Sequence, residues 1–296
     1  MAAKKVEPGA RVWTASVNGT GLRVEEIGAG SETVVFSPAL FTNRELFDAP
    51  VAALRGDHRC IRYDHRGQGD SGFGVPQPDP HRMGVEGLYE DAVALLDQLQ
   101  VESCHWVGVS IGAMVGMRVA ARHPDRVRSL TVIGVTVRPL TRLELLPFDV
   151  SAVMIRATRP LGPLGTSVRH QVAGFSVRMM FGSTFMSDPT RAADREYWQK
   201  RFAAQFVPEG VPMIREVFGF PGNPVEMLAR IQAPTLVIHG TEDPGADVEA
   251  AKAQQAIPGA RLLPIPGAGH MVLVEQPDVG TAAITEFIRG VEANSH

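Results

Sequence analysis

The stretch Val107-Gly108-Val109-Ser110-Ile111-Gly112 decides the predicted fold. It follows a short, mostly apolar run at 103–107 that favours a strand, and it precedes small residues at 113–121 that tolerate a helix. A serine at a sharp strand-to-helix turn adopts a strained backbone conformation, for which its glycine neighbours leave room. The following helix directs free N–H groups toward negative charge that develops beside the serine. We therefore predict that Ser110 is a nucleophile.

The composition indicates a globular protein that forms a core. The chain has 296 residues, of which 44% are hydrophobic and 21% charged, and its net charge of -3 favours neither a nucleic acid nor a membrane as a partner. Cys60 and Cys104 both fall in predicted buried strands, which is typical of core residues in a reducing compartment. No signal peptide or segment of 18 consecutive apolar residues is visible. We expect a cytoplasmic protein with no nucleic-acid or membrane partner.

Strands and helices alternate along most of the chain. Strands are predicted at residues 11–19, 22–28, 33–36, 60–63, 103–107, 127–133, 234–238 and 261–265. Helices are predicted at residues 43–54, 88–99, 113–121 and 279–288. The first two strands flank Asn18-Gly19 and form a predicted hairpin. This order predicts the α/β class, with a mostly parallel, doubly wound sheet that carries helices on both faces.

Two segments depart from this alternation. Residues 138–225 contain many prolines, broken helical stretches and no convincing strand, so we predict an inserted helical cap there and a core domain formed by 1–137 and 226–296. The glycine-rich loop 64–72 lacks the Lys-Ser/Thr ending of a phosphate-binding loop. We expect a tight, internally hydrogen-bonded turn in this loop, with Asp64 and Arg66 as candidate structural partners.

Three residues with complementary chemistry follow separate predicted strands. Ser110, Asp243 and His270 each lie just after a strand, where functional groups collect in open α/β sheets. His270 would accept the serine proton and later return it to the leaving group, while Asp243 would orient the imidazole. Glu242 is adjacent and remains an alternative acid. The alternative bases are His65, His105, His123 and His239.

Acyl transfer also requires donors for a developing oxyanion. The backbone N–H of Ile111 directly follows the nucleophile and is one candidate. The second donor is expected from the loop after the third strand, where Pro38 has no N–H. Leu40 is our choice, and Ala39 or Phe41 remain open.

The chain resembles the α/β-hydrolase superfamily from about residue 20 to about residue 290. The motifs that carry the resemblance are the serine turn, Asp64-x-Arg66-Gly67-x-Gly69-x-Ser71, Gly240-x-x-Asp243 and Gly269-His270. Within the superfamily, residues 240–245 and Glu275-Gln276-Pro277 are similar to the 3-oxoadipate enol-lactonase-like and carboxylesterase-like branch. Two positions depart from the common pattern: Pro38-Ala39 replaces a His-Gly pair, and Ala113 replaces a glycine.

The resemblance implies a serine hydrolase that cleaves a small carboxylic ester or lactone through an acyl-enzyme, without a cofactor. No spacing typical of metal ligands is visible in the sequence, so no metal is expected. Candidate pocket residues are Phe41, Met154, Met179, Met180 and Met186, although any one of them would equally pack the cap onto the core. Arginines considered for a substrate carboxylate, with a solvated surface as the favoured interpretation, are Arg156, Arg159, Arg169 and Arg178.

Other functions remain compatible with the same residues. The triad would also serve a carbon–carbon bond hydrolase of ring-cleavage products, or a perhydrolase side activity. A catalytically idle ligand-binding protein on this scaffold is an alternative from another class. A homo-oligomer is possible in each case.

Overall fold

A computed structural model describes residues 9–72, 80–135, 137, 141–205, 213, 216 and 224–294. The strands are β1 (Arg11–Val17), β2 (Thr20–Ile27), β3 (Glu32–Ser37), β4 (His58–Tyr63), β5 (Cys104–Val109), β6 (Val127–Ile133), β7 (Thr235–Gly240) and β8 (Arg261–Ile265). They form one sheet in the order β1-β2-β4-β3-β5-β6-β7-β8. β2 is antiparallel to β1 and β4, and the other neighbours are parallel. The predicted mostly parallel sheet is confirmed.

The helices cover the sheet. They are α1 (Asp48–Leu54), α2 (Val85–Gln98), α3 (Ile111–Arg122), α4 (Arg142–Ala157), α5 (Gly162–Met180), α6 (Ser183–Ser187), α7 (Ala192–Gln205), α8 (Pro224–Leu228), α9 (Ala246–Ala256), α10 (Val272–Glu275) and α11 (Pro277–Ala293). α3 packs against α2 and against β3, β5 and β6, while α1 packs against α11. Every residue of β5 and β7 is buried. Because successive side chains in a strand point to opposite faces, both faces of the sheet are covered at its centre.

The hairpin at the edge of the sheet forms as the sequence predicts. Asn18 and Gly19 both have positive φ angles, 46° and 73°. Two such residues form the turn whose twist matches that of antiparallel strands. The predicted helix 43–54, by contrast, divides into a 3-10 turn at Arg44–Phe47 and α1, because Phe47 departs from helical geometry with φ -106° and ψ 18°.

Between β6 and β7, the described residues form helices α4 to α8 and no strand. This segment contacts the residues around the sheet at two points. The guanidinium of Arg191, in the 3-10 turn before α7, donates to the carbonyls of Val274 and Glu275, and Gln205 Oε1 on α7 accepts from the N–H of Gly69. The cap boundaries at 138 and 225 stay a prediction, since residues on both sides of them lie partly outside the described ranges. Among the helices described, none is both long enough and apolar enough to span a bilayer.

The loop 64–72 is internally hydrogen-bonded, as expected. The N–H of Gly67 donates to the Gly72 carbonyl at 2.9 Å, and the Ser71 hydroxyl donates to the Asp64 carbonyl at 2.7 Å. Asp64 and Arg66 pair with residues elsewhere rather than with each other. Asp64 accepts from Arg44, whereas Arg66 forms a buried, two-pronged ion pair with Asp91 on α2.

Candidate active site

Ser110 occupies the sharp turn between β5 and α3. Its backbone has φ 53° and ψ -114°, a conformation that costs energy in a residue with a side chain. The N–H of Ser110 donates to the Ile133 carbonyl at 2.7 Å, and its own carbonyl accepts from the N–H groups of Ala113 and Met114. These hydrogen bonds hold the strained turn in place between the ends of two strands.

The glycines on either side of Ser110 are required by close backbone contacts. A Cβ on Gly112 would lie 1.9 Å from the Ser37 carbonyl oxygen, and a Cβ on Gly108 would lie 2.4 Å from the Gly112 oxygen. Both distances are far below any tolerated contact with backbone. The turn therefore brings the start of α3 directly against the loop that follows β3.

Asp243 and His270 form a hydrogen-bonded pair. Asp243 follows β7, His270 follows β8, and His270 Nδ1 lies 2.7 Å from Asp243 Oδ2. Their side chains are 14% and 17% exposed. A carboxylate at Nδ1 favours the proton on that nitrogen, which leaves Nε2 as the free base.

His270 and Ser110 each contact the end of β6. Gly134 has φ 61°, and a Cβ placed on it would lie 3.0 Å from His270 Cε1, so the imidazole rests on this glycine. The preceding residue, Ile133, accepts the hydrogen bond from the Ser110 N–H. Within the described part of the chain, no hydrogen bond joins the Ser110 hydroxyl to His270. Such bonds commonly tighten only when substrate is bound.

The surroundings of His270 raise the pKa of its imidazole. Burial opposes the charged form, but the charge of Asp243, its hydrogen bond and the charge of Glu275 favour that form, and the pKa lies above the ordinary value. An imidazolium formed by proton transfer is therefore stabilised at this position.

Glu242, the alternative acid, faces the helical segment instead. Its carboxylate accepts hydrogen bonds from the Ser183 hydroxyl at 3.0 Å and from the Thr184 N–H at 2.8 Å, together with the Thr184 hydroxyl. The Thr184 bonds lower the pKa of Glu242. Asp243, not Glu242, is the carboxylate that contacts His270.

Glu275 is a buried carboxylate that the sequence did not single out as part of the site. Glu275 Oε2 accepts from the N–H of Gly182 and of Gly269, both at 2.8 Å, and Oε1 accepts from the N–H of Met271 at 3.0 Å. Burial raises the pKa of Glu275 although these N–H groups favour its charged form. Since Gly269 and Met271 flank His270, Glu275 ties the histidine loop to the end of the α5–α6 connection. In the sequence, the only indication of a role for Glu275 is its position in the motif Glu275-Gln276-Pro277.

The remaining candidate histidines have other partners or other locations. Burial lowers the pKa of His65 to about 4, and His65 Nε2 lies 3.2 Å from the Pro38 carbonyl oxygen. His123 contacts the Tyr89 hydroxyl at 2.7 Å. His105 lies at the amino end of β5, and His239 is buried within β7.

The loop after β3 contains the candidate oxyanion donors. Phe41 has φ 61°, and its N–H donates to Gln68 Oε1 at 2.7 Å, so this N–H is engaged. The N–H groups of Ala39 and Leu40 donate to no other backbone group among the described residues. Ile111 is the first residue of α3, where helical N–H groups have no partner within the helix. Leu40 and Ile111 thus stay the predicted donors, with Ala39 as the alternative.

The loop 64–72 contacts the loop after β3, which contains the candidate oxyanion donors, and the sequence did not predict this contact. Gln68 holds the Phe41 N–H, His65 contacts the Pro38 carbonyl, and Asp64 Oδ1 accepts from the Arg44 N–H at 2.7 Å. The strained conformation at Phe41 is therefore fixed from the neighbouring strand. In the sequence, the only indication of this contact is the regular spacing of polar residues in the motif Asp64-x-Arg66-Gly67-x-Gly69-x-Ser71.

The candidate pocket residues are spread over several environments. A cleft of about 580 Å³ lies beside the Asp243 loop and is lined by Arg178, Met179, Phe181, Ser183, Met186, Glu242 and Pro244. Met180 is half-buried, and its carbonyl accepts the His270 N–H at 2.9 Å. Phe41 is buried and Met154 is 43% exposed on α4. The structure thus brings Met179 and Met186 together in one cleft, and places Met154 on the outer surface.

The eight-stranded sheet, the strained serine turn and the Asp–His pair at one sheet edge define the class of protein. Residues 32–277 match the model of the α/β hydrolase fold family, and the chain belongs to that family. This confirms the resemblance inferred from the sequence.

The relatives carry the names of hydrolases that act on different bonds, namely a carbamate, a methyl ester and an enol-lactone. The chain is 27% identical over 278 residues to "Putative carbamate hydrolase RutD" of Caulobacter sp. (strain K31), covering 88% of this chain and 92% of the relative. It is 29% identical to "Rhodomycin D methylesterase DauP" of Streptomyces sp. (strain C5), covering 78% and 82%. The crystal structure of the enol-lactonase from Burkholderia xenovorans LB400 superposes with a TM-score of 0.80 at 26% identity, covering 93% of this chain and 99% of that one.

Proposed function

We propose that this protein is a cofactor-free serine hydrolase that cleaves a small carboxylic ester or lactone. The observation that carries the proposal is the Asp243–His270 hydrogen bond of 2.7 Å, set at the same sheet edge as the strained Ser110 turn. Family membership and relatives named as a methylesterase and an enol-lactonase support the same class of reaction.

The proposed reaction begins with proton transfer. His270 Nε2 accepts the Ser110 proton as Oγ attacks the carbonyl carbon, and Asp243 stabilises the imidazolium that forms. The N–H groups of Ile111 and Leu40 donate to the oxyanion. His270 then protonates the departing alkoxide, which leaves an acyl group on Ser110. In the second half, His270 removes a proton from water as the oxygen of that water attacks the acyl carbonyl carbon. His270 then returns the proton to Ser110 Oγ as the bond between Oγ and the acyl carbon breaks, and the acid is released.

The cleft beside the Asp243 loop supports a largely apolar substrate. Met179, Phe181 and Met186 supply apolar wall, and Met side chains adapt readily to irregular ligands. Arg178 lies at the same cleft and favours a substrate that also carries a carboxylate, as the lactone of a dicarboxylic acid would.

Hydrolysis assays with matched variants test the proposal. Short p-nitrophenyl esters and simple lactones are offered to the wild type and to Ser110→Ala, with Ser187→Ala as the control because the exposed Ser187 hydroxyl donates to the Thr184 carbonyl and Ser187 does not line the cleft. We expect turnover by the wild type and the control, and loss of about 10³-fold or more in Ser110→Ala. Equal turnover by Ser110→Ala would overturn the proposed nucleophile. If the wild type does not turn over esters or lactones but cleaves carbon–carbon bonds of ring-cleavage products, the assignment changes to a carbon–carbon bond hydrolase.

A further inference from the structure

A second cluster of titratable side chains lies at the opposite edge of the sheet from Ser110. Glu32 begins β3, His58 begins β4, His105 lies at the amino end of β5, and Glu292 lies near the end of α11. At about 3.3 Å per strand residue, His105 is ~16 Å from Ser110 along β5. The proposed catalytic reaction uses none of these four residues.

Glu32, His105 and Glu292 converge on one point, and His58 hydrogen-bonds Glu292 beside it. Glu292 Oε1 lies 2.9 Å from His58 Nε2 and 3.4 Å from His105 Nε2, and Glu32 Oε2 lies 3.9 Å from His105 Nε2. One ligand atom from each of Glu32, His105 and Glu292 fits within a span of 4.8 Å. A tetrahedral zinc ion with bonds of about 2.0–2.1 Å separates its ligand atoms by about 3.4 Å, which is the scale of these distances.

His105 supplies an independent observation. Its side chain is fully buried, and its Nε2 has no hydrogen-bond partner among the described residues although Glu292 is near. Its Nδ1 lies 2.7 Å from the Ser129 hydroxyl. A buried nitrogen that faces two carboxylates without a hydrogen bond is costly, and a bound cation would satisfy all three groups together.

The second ring nitrogen of His105 has the kind of partner that metal-binding histidines usually have. The Ser129 hydroxyl lies 2.7 Å from His105 Nδ1 and can accept a hydrogen bond from it, which leaves the lone pair of Nε2 for a cation. His58 lies between two carboxylates, with Nδ1 2.8 Å from Asp57 Oδ1 and Nε2 2.9 Å from Glu292 Oε1, and it orients Glu292 by donating to it.

We propose that Glu32, His105 and Glu292 form a binding site for a zinc-class divalent cation, with His58 orienting Glu292, and that this ion fastens the end of α11 to the amino edge of the sheet. An imidazole ligand favours zinc-type ions over Mg²⁺ or Ca²⁺, which prefer all-oxygen ligands.

The charges around the site are compatible with a cation. Arg128 donates to Glu32 Oε1 at 2.8 Å, which leaves Oε2 directed at His105. Arg289 contacts Asp57 Oδ2 at 3.1 Å and none of the three proposed ligands. The side chains of Glu32 and Glu292 are 31% and 21% exposed, so an ion can enter the site from solvent. The site is structural, because it does not contact the catalytic edge.

The test is Zn²⁺ titration of the full, untagged chain after treatment with a chelator. Isothermal calorimetry measures stoichiometry, and Co²⁺ substitution reports tetrahedral coordination by intense visible absorbance. We expect one Zn²⁺ per chain, a higher unfolding temperature with Zn²⁺, and affinity reduced by at least about 10-fold in Glu292→Gln. His58→Gln is a second variant in case the first folds poorly.

The matched control is Glu86→Gln, since Glu86 is a paired carboxylate on α2 that contacts Arg118 and Arg122 away from the cluster. This control is expected to bind Zn²⁺ as the wild type does. Absence of binding by the wild type would overturn the proposal, and so would equal binding by Glu292→Gln and His58→Gln. If His58 and Glu292 form only an ion pair and bind no metal, the wild type will not bind Zn²⁺.

Discussion

At the scale of single residues, Asp243 is expected to set the pH range in which His270, the proposed base, is available. The carboxylate raises the pKa of His270 despite burial, so the imidazole keeps its proton to a higher pH than an ordinary histidine. The neutral, proton-accepting form appears as pH rises through that pKa. Hydrolytic activity should therefore fall on the acid side with a midpoint above about 6.5, the ordinary histidine value.

Asp243→Asn removes this charge and tests the relation. We expect kcat to fall by about 10⁴-fold, as with comparable catalytic pairs, and the acid-side midpoint of the residual activity to move to lower pH. Glu242→Gln is the control, because Glu242 bonds Ser183 and Thr184 and not His270. A midpoint that shifts equally in both variants would contradict the assignment of the acid. The measurement is the pH profile of kcat/KM.

At the scale of elements, Glu275 connects the histidine loop to the helical segment. It accepts from Gly182 after α5 and from both neighbours of His270. Glu275→Gln keeps the shape but loses the charge and part of the acceptor capacity. We expect kcat to fall by about 10-fold or more with a smaller change in KM, and the pKa of His270 to decrease, since the charge of Glu275 helps to raise it.

The result shows whether Glu275 positions His270 or only stabilises the fold. Glu275 acts through His270, so the acid-side midpoint should move together with kcat. A variant that loses stability but retains kcat and its pH midpoint would show that Glu275 only holds the fold. Asp278→Asn is the nearby control, because Asp278 is an exposed carboxylate in the first turn of α11.

The Arg66–Asp91 pair fastens the 64–72 loop to α2. Both side chains are at most 3% exposed, and Arg66 makes two bonds of 2.7 and 2.8 Å to Asp91. Asp91→Ala leaves a buried guanidinium without its partner, which should lower the free energy of unfolding by about 3–5 kcal/mol. Glu90→Ala, at an exposed neighbour, should change it by less than about 0.5 kcal/mol. Urea unfolding measures both, and similar losses would contradict the role of the pair.

At the scale of the whole molecule, the protonation of buried His65 is expected to lower the free energy of unfolding at acid pH. The folded state lowers the pKa of His65 to about 4, while an unfolded chain has a value of about 6.5. The unfolded state therefore binds more protons between these values, and stability is complete above about 6.5 and decreases as pH falls toward about 4. His270 acts in the opposite direction, since its raised pKa contributes stability that is lost as pH rises through it.

His65→Gln removes one of these titrations. We expect the free energy of unfolding of this variant, measured in urea with chelator present, to depend less steeply on pH between about 6.5 and 4. The wild type at matched pH values is the reference. An unchanged slope would mean that His65 is not held in its neutral form by the fold.

Much of this architecture is visible in the sequence because it depends on local rules. The alternation of strands and helices, the Asn18-Gly19 turn and the glycines around Ser110 are short-range signals, and the structure contains each of these features. The order of Ser110, Asp243 and His270 after their strands likewise follows from sheet topology.

Other features depend on contacts between distant residues and leave no periodic signal. Glu275 reaches Gly182 across 93 positions, and Gln68 reaches Phe41 across 27. The division of the predicted helix 43–54 depends on the local geometry of Phe47. The cluster of Glu32, His58, His105 and Glu292 has no ligand spacing in sequence and is assembled only by the sheet and α11.

The most direct test of the central claim is labelling with a serine-directed fluorophosphonate, followed by peptide mass spectrometry. The account predicts one adduct, on the peptide that contains Ser110, with no adduct in Ser110→Ala and much slower labelling in His270→Ala. An adduct on another serine, or labelling of Ser110 at the same rate without His270, would contradict the assigned nucleophile and base.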